Sequence, residues 1–304
     1  MVLKRNSKRT GEIIQLLLQW SEKRKGIFKE EDFWLPKTRT EKAFFLTTPM
    51  VFNYGNSTKA KILWAAAKKT WDDPSTHWVF FPREVIQRTT TDKLDELVVA
   101  LKEHGFSPRQ TDAKNWRTVS DSFLKYFDGN PINLLKKFDY DAHRIFVEMR
   151  TKLGKDFPFL AGSTSGSKIL LVWLRLLHEH VKKLKNLEPL PIPMDVHVRR
   201  ATITTGCLVG KFYSTPEELD GDAKGAWSEA CEDLRRKKKS HQTAFEFDEV
   251  LFKLSRNGCS HIDVNGECPK REECKLYPKY CVTANPKFEI DLGKPIQIDT
   301  TYPS

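Results

Sequence analysis

The chain has 304 residues, 39% hydrophobic and 30% charged. That is enough apolar material for two lobes or one large domain, and no apolar run is long enough to span a membrane. Its net charge of +11 and pI of about 9.2 favour a polyanionic partner, most simply nucleic acid, although solubility alone is the plainer reading. The basic opening runs through a short apolar stretch into "SEKRK" without a small-residue cleavage site, so no signal peptide is read and the cytoplasm is the expected location.

The pattern along the chain is helical. "EIIQLLLQW" (12–20) has a wide apolar face. "STKAKILWAAAKKTW" (57–71) opens on a Ser/Thr cap and places Ile62, Leu63, Ala66 and Ala67 on one side. "TDKLDELVVALKEHG" (91–105) starts on Thr and Asp and stops at glycine. Residues 131–138 and 140–154 predict two further helices, and 167–187 a long one whose first half, apolar nearly all round, should be buried. Residues 195–206 and 245–258 complete the set. Strand signals are few, and no internal repeat is seen. The run "RRKKKS" (235–240) reads as a solvated charge block.

Three segments carry chemistry. In "LAGSTSGSK", two glycines bracket three hydroxyl residues just before the long helix. Gly162 and Gly166 let the backbone approach a ligand, and the helix N-terminus offers unpaired N–H groups and its dipole to a phosphate. Ser163, Thr164, Ser165 and Ser167 add hydroxyl donors, so residues 162–167 are a candidate backbone-gripping loop; a flexible loop is the alternative. In "PLPIPMDVHVRR", Asp195 stands where a helix begins, and an N-cap alone would explain it. In the tail, Cys259, Cys268, Cys274 and Cys281 follow the spacing C-x8-C-x5-C-x6-C. Four thiolates on one centre suit an iron–sulfur cluster or zinc; the lack of close C-x2-C pairs favours the bulkier iron–sulfur cluster, and a disulfide set stays open. Cys207 and Cys231 are isolated and read as buried thiols.

In this order, the segments resemble the helix-hairpin-helix DNA glycosylases of the endonuclease III type. Gly162, Gly166 and Lys168 match the family hairpin L-P-G-V-G-x-K with two extra residues between the glycines. Asp195 and His197 match V-D-T-H-V, and the cysteines match C-x6-C-x2-C-x5-C with wider spacings. The resemblance covers about residues 120 to 281.

It implies an all-α protein of two helical lobes with a cleft between them. Residues 49–187 would form a six-helix barrel ending in the hairpin, and residues 1–48 and 188–304 the lobe that carries a 4Fe–4S cluster, with zinc as the alternative. The implied partner is double-stranded DNA carrying a damaged or modified base, met by a monomer in the cytoplasm at the nucleoid, with no membrane. The implied activity is base excision by N-glycosidic cleavage. Asp195 would stabilise the oxocarbenium-like sugar, and Lys168 would be the nucleophile of an added AP-lyase step. His197 would be structural. The same aspartate chemistry would serve an N-glycosylase of a modified nucleoside or RNA, and the hairpin and cluster alone would serve a non-catalytic DNA-binding module. Trp64, Trp116, Tyr126 and Trp173 are candidates to stack on a flipped base, or core residues.

Overall fold

A computed structural model describes residues 4–23, 26–28, 34–52, 60–106, 108–161, 167–209, 211–214, 216–262, 267–277, 279–281 and 296–299. Among them the chain begins with β1 (Lys4–Arg5), α1 (Ser7–Ser21), α2 (Arg39–Phe52), α3 (Ala60–Asp72), α4 (Pro82–Arg88) and α5 (Asp95–Glu103). It continues with α6 (Gln110–Phe127), α7 (Pro131–Lys137), α8 (Ala142–Thr151), α9 (Lys168–His180) and α10 (Val196–Thr204). Then come β2 (Leu208–Val209), β3 (Lys211–Ser214), α11 (Pro216–Arg236), α12 (Asp248–Asn257) and β4 (Ile296–Asp299). The protein is therefore mostly helical. No described helix is long and apolar enough to cross a membrane. The strands form two antiparallel pairs, β1 with β2 and β3 with β4.

Two compact units divide the chain: residues 1–31 with 191–304, and residues 32–190. This assigns residues 32–48 to the second unit rather than to the first. The cause is α2, whose buried Phe45, Leu46, Met50 and Val51 pack it against α9, α6 and α7. A hydrogen bond fixes that contact: Trp173 Nε1 donates to Thr47 Oγ1 at 3.0 Å, and Thr47 donates to the Ala43 carbonyl at 2.6 Å. Trp116 Nε1 likewise donates to the Val79 carbonyl at 2.8 Å. Both indoles are fully buried, so Trp116 and Trp173 are core, each with its polar edge satisfied.

In the unit of residues 1–31 and 191–304, α1 packs along α11 and α10 along α12. Trp227 lies fully buried, its Nε1 donating to Thr202 Oγ1 at 2.8 Å. Arg199, 4% exposed, grips Asp220 through Nε at 2.8 Å and Nη2 at 2.9 Å.

Several expected boundaries shift for identifiable reasons. Ile62 points outward at 53% exposure, while Leu63, Ala66 and Ala67 are buried; the expected cap at 57–58 lies outside the described residues. The helix expected from 91 begins at Asp95, because Thr90 and Lys93 bond to each other across a tight turn. The helix expected to reach 187 stops at His180. There the His178 ring takes the Leu184 N–H at Nδ1 (3.0 Å), and Lys185 pairs with Tyr140 and Ala142 instead of with its own helix. The first half of α9 is buried, as its composition requires.

Candidate metal centre and the Asp195 helix

Asp195 is the N-cap of α10. Its φ of −139° and ψ of −176° are extended, and its Oδ1 accepts the N–H groups of His197 and Val198, both at 2.8 Å. The prolines at 191 and 193 bring an extended chain to this point, with Ile192, Pro193 and Met194 buried. An anion at a helix N-terminus is also favoured by the dipole. The half-buried carboxylate is thereby fixed by its own helix.

From that cap, α10 runs along α12 and reaches the turn at Cys259–His261. His197 faces α12: its Nδ1 lies 3.4 Å from Ser255 Oγ, and its ring meets Phe252 edge-on at 4.9 Å. It serves as a spacer between the two helices, in keeping with a structural role.

Beyond the far end of α12 comes the tail with its four thiols. Burial pushes the Cys259 thiol well up, and the neighbouring thiols of Cys281, Cys274 and Cys268 push it further. Cys281 is pushed up to about 12 by burial and then by Cys274 and Cys268, and Cys274 by burial and by Cys268. Two cations oppose this, Arg200 at Cys259 and Arg9 at Cys281, and the N–H groups of Leu276 and Tyr277 donate to the Cys274 sulfur. N–H···S bonds and nearby charge are the usual tuning elements around sulfur ligands. None of the six cysteines forms a disulfide. Among the described residues, no three His, Cys, Asp or Glu side chains are drawn in as closely as one ion requires; four sulfurs on a single zinc stand about 3.8 Å apart.

The N-terminal helix holds this loop in place. Arg9 donates through Nε to the Thr205 carbonyl (2.8 Å) and through Nη2 to that of Lys279 (3.3 Å), and its guanidinium lies 5.5 Å from the centre of the Tyr280 ring. Tyr280 in turn donates its hydroxyl to Glu12 at 2.7 Å, and Asn257 Nδ2 donates to the Ile27 carbonyl at 2.7 Å. The sequence pattern does not single out Arg9 or Arg200. Arg200 was within reach, five positions after Asp195 on the same helix. Arg9 gave no signal, because its partners lie some 200 to 270 residues away.

Lys168 is the first residue of α9, half-buried, and follows Ser167 at the N-cap, which is buried. It belongs to the unit of residues 32–190, and Asp195 to the other. The loop residues Gly162, Ser163, Thr164, Ser165 and Gly166 lie outside the described residues. Tyr126 is half-buried and bonds Asp156 through its hydroxyl at 2.9 Å, and Trp64 is half-buried against Phe45. Cys207 and Cys231 are buried thiols, raised by burial to about 11 and about 12.

No protein-family model matches the chain, and no curated protein matches it.

Proposed function

We propose that the protein is a DNA glycosylase of base excision, acting on a damaged or modified base in double-stranded DNA, with a 4Fe–4S cluster held by Cys259, Cys268, Cys274 and Cys281. One observation carries the reading. A single helix, α10, presents a capped carboxylate at its N-terminus and meets the turn that carries Cys259, the first of the four tail cysteines, further along its length.

The residues fit a cationic centre. Burial and neighbouring thiols raise Cys259, Cys274 and Cys281, and all four cysteines must be thiolates to ligate, so a multiply charged metal group would relieve both burial and mutual repulsion. A cluster there would be a structural brace, tying the tail loop to α10 and α12. The absence of close C-x2-C pairs among these cysteines is why a cluster is preferred to zinc.

The chemistry falls to the protein's own groups. Breaking the C1′–N bond sends its electron pair to the departing base and leaves positive charge on the sugar. The Asp195 carboxylate, already oriented by two N–H groups, would stabilise that charge while water adds at C1′. Lys168, if it attacks C1′ as a neutral amine, would displace the base and give a Schiff base that permits β-elimination of the 3′ phosphate. The six-helix barrel, the hairpin grip on phosphate and the cytoplasmic, nucleoid-associated location belong to the same reading.

The test is a panel of duplexes, each with one oxidised, deaminated or mismatched base, incubated with the protein and borohydride. Base release is expected on at least one lesion. A reduced protein–DNA adduct that Lys168→Gln abolishes would assign the lyase step; release without an adduct would leave Asp195 and water alone. The cap geometry also favours a second reading, a binding module in which Asp195 only starts a helix. No release from any duplex, nor from free modified nucleosides, would select it.

A further inference from the structure

The corner between α7 and α8 combines a left-handed turn that includes a tyrosine with a cluster of cations. Asp139 and Tyr140 are consecutive residues in the left-handed region, with φ of 53° and 58°, and Asn186 beside them has 56°. Asp139 is the left-handed residue of the cap that ends α7, and aspartate and asparagine tolerate that region; Tyr140 is the residue whose Cβ disfavours it, and strain of this kind concentrates at functional positions. The corner is stitched to the chain after α9. Lys185 N–H donates to the Tyr140 carbonyl at 2.8 Å, and Ala142 N–H to the Lys185 carbonyl at 3.0 Å.

The strained turn presents the half-buried Tyr140 ring to two cations from different helices' ends. The Arg39 guanidinium carbon lies 5.9 Å from its centre and Lys182 Nζ 5.7 Å. Lys137 Nζ sits 5.2 Å from the Phe127 ring and the Arg144 guanidinium carbon 5.6 Å from that of Phe138. Arg39, Lys136, Lys137, Arg144, Lys182 and Lys183 are all exposed. Some lysines elsewhere are paired with carboxylates, as Lys152 is with Glu148 at 2.8 Å and Lys270 with Glu273 at 2.9 Å. Here, among the described residues, only Lys185 has such a partner, Asp139 at 2.8 Å. Helix C-termini favour cations, which accounts for some of the lysines but not for Arg39 at the start of α2. A ring face orients a cation without cancelling its charge. The result is a pre-oriented, uncompensated positive surface.

We propose that this corner is a second contact for the phosphate backbone of duplex DNA, distinct from the N-terminal end of α9. It rests on the glycosylase reading for the identity of the polyanion. The 13 residues of α9 separate it from Lys168 by about 20 Å, roughly the rise of six base pairs. Contacts of this kind fix register on the duplex and carry no sequence information.

The test compares the full chain with Lys136→Gln/Lys137→Gln/Lys182→Gln and with a control that removes the same charge, Lys68→Gln/Lys93→Gln/Lys152→Gln. Binding to an undamaged duplex of two helical turns is followed by fluorescence anisotropy across a salt series. The slope of log K against log salt should become shallower by about 2–3 in the corner variant, about 0.9 for each phosphate that is no longer neutralised, and should barely move in the control. Equal slopes in the two variants would overturn the proposal, as would corner-dependent binding to anionic vesicles without binding to the duplex. The two readings fail separately. Base release with an unchanged corner slope sinks only the corner; a shallower slope without base release on any lesion sinks only the glycosylase.

Discussion

Substitution of Asp195 separates its two roles, because asparagine caps a helix nearly as well as aspartate but carries no charge. In Asp195→Asn the side-chain oxygen can still accept the His197 and Val198 N–H groups, which lie 2.8 Å from Oδ1. What disappears is the anion at the start of α10, worth about 0.3–1 kcal/mol against the dipole. In Asp195→Ala both N–H groups lose their acceptor, at a cost of about 1–2 kcal/mol. At about 2–4 °C per kcal/mol for a unit of this size, the melting temperature should fall by roughly 2–8 °C in the alanine variant and by no more than about 4 °C in the asparagine variant. Base release should behave differently. Both variants lack the charge that stabilises the sugar, so both should slow by about 100- to 1,000-fold. Differential scanning calorimetry and single-turnover base release on the best lesion duplex give the two numbers. An asparagine variant that releases base at the wild-type rate would refute the catalytic assignment and leave Asp195 a cap. An alanine variant that melts with the wild type would refute the cap.

Four further outcomes are expected. Protein purified without oxygen should be brown and carry about four irons per chain, and Cys259→Ser should lose both; stoichiometric zinc without visible absorption would reject the cluster. Cys207 and Cys231 should resist alkylation at pH 8, because burial raises them to about 11 and about 12. Since folding raises these thiols above their ordinary value of 9.0, their contribution to stability is complete below pH 9 and declines as pH climbs towards 11, so the urea midpoint should drop over that window; a flat midpoint in the wild type would contradict their burial. Arg199→Ala should destabilise by about 3–5 kcal/mol by stranding Asp220, whereas Arg199→Met with Asp220→Leu should recover most of it; urea titration of the pair decides, and a harmless alanine would show that the ion pair is not holding α10 to α11.

The helical class was legible because most stripes are strong, as in Leu170, Leu171, Trp173, Leu174 and Leu177 of α9. Four helices are not legible in the pattern: α4, of seven residues, is too short to show a stripe, and the other three each have a physical reason. In α6 the buried face mixes Ala113, Trp116, Val119 and Phe123 with Ser120 and Ser122, so the apolar period is diluted by hydroxyls. In α2 Pro49 and two threonines interrupt the pattern; yet the threonine at 47 is the acceptor that a buried indole needs. In α11 the stripe is written in small residues, Ala223, Ala226 and Ala230, with Gly225 set where the Arg5 guanidinium of β1 occupies the place of a side chain. That glycine reads as a helix breaker until the first strand is seen lying across it.

The candidate site divides along the same line between local chemistry and distant support. Asp195 was legible as a cap because capping is decided within three residues, and the cysteines were legible as a set because thiols at such spacing have few other uses. Their convergence was not legible. The tail from 259 to 281 buries only Cys268, Leu276 and Tyr280 among its described residues, too little apolar surface to fold by itself. It is held by groups brought from elsewhere: Arg9 and Glu12 on α1, Ile27 through Asn257, and Arg200 on α10. A cluster bonded to all four thiols, as proposed above, would cross-link a loop with so little core. The same logic explains why α10 matters to both ends of the site. It is anchored by Arg199 to Asp220 and by Thr202 to Trp227, so the helix that carries the Asp195 cap is set by the core. If the proposed cluster is bound, its loss should therefore loosen the tail first and reach Asp195 only through a helix that the core already holds.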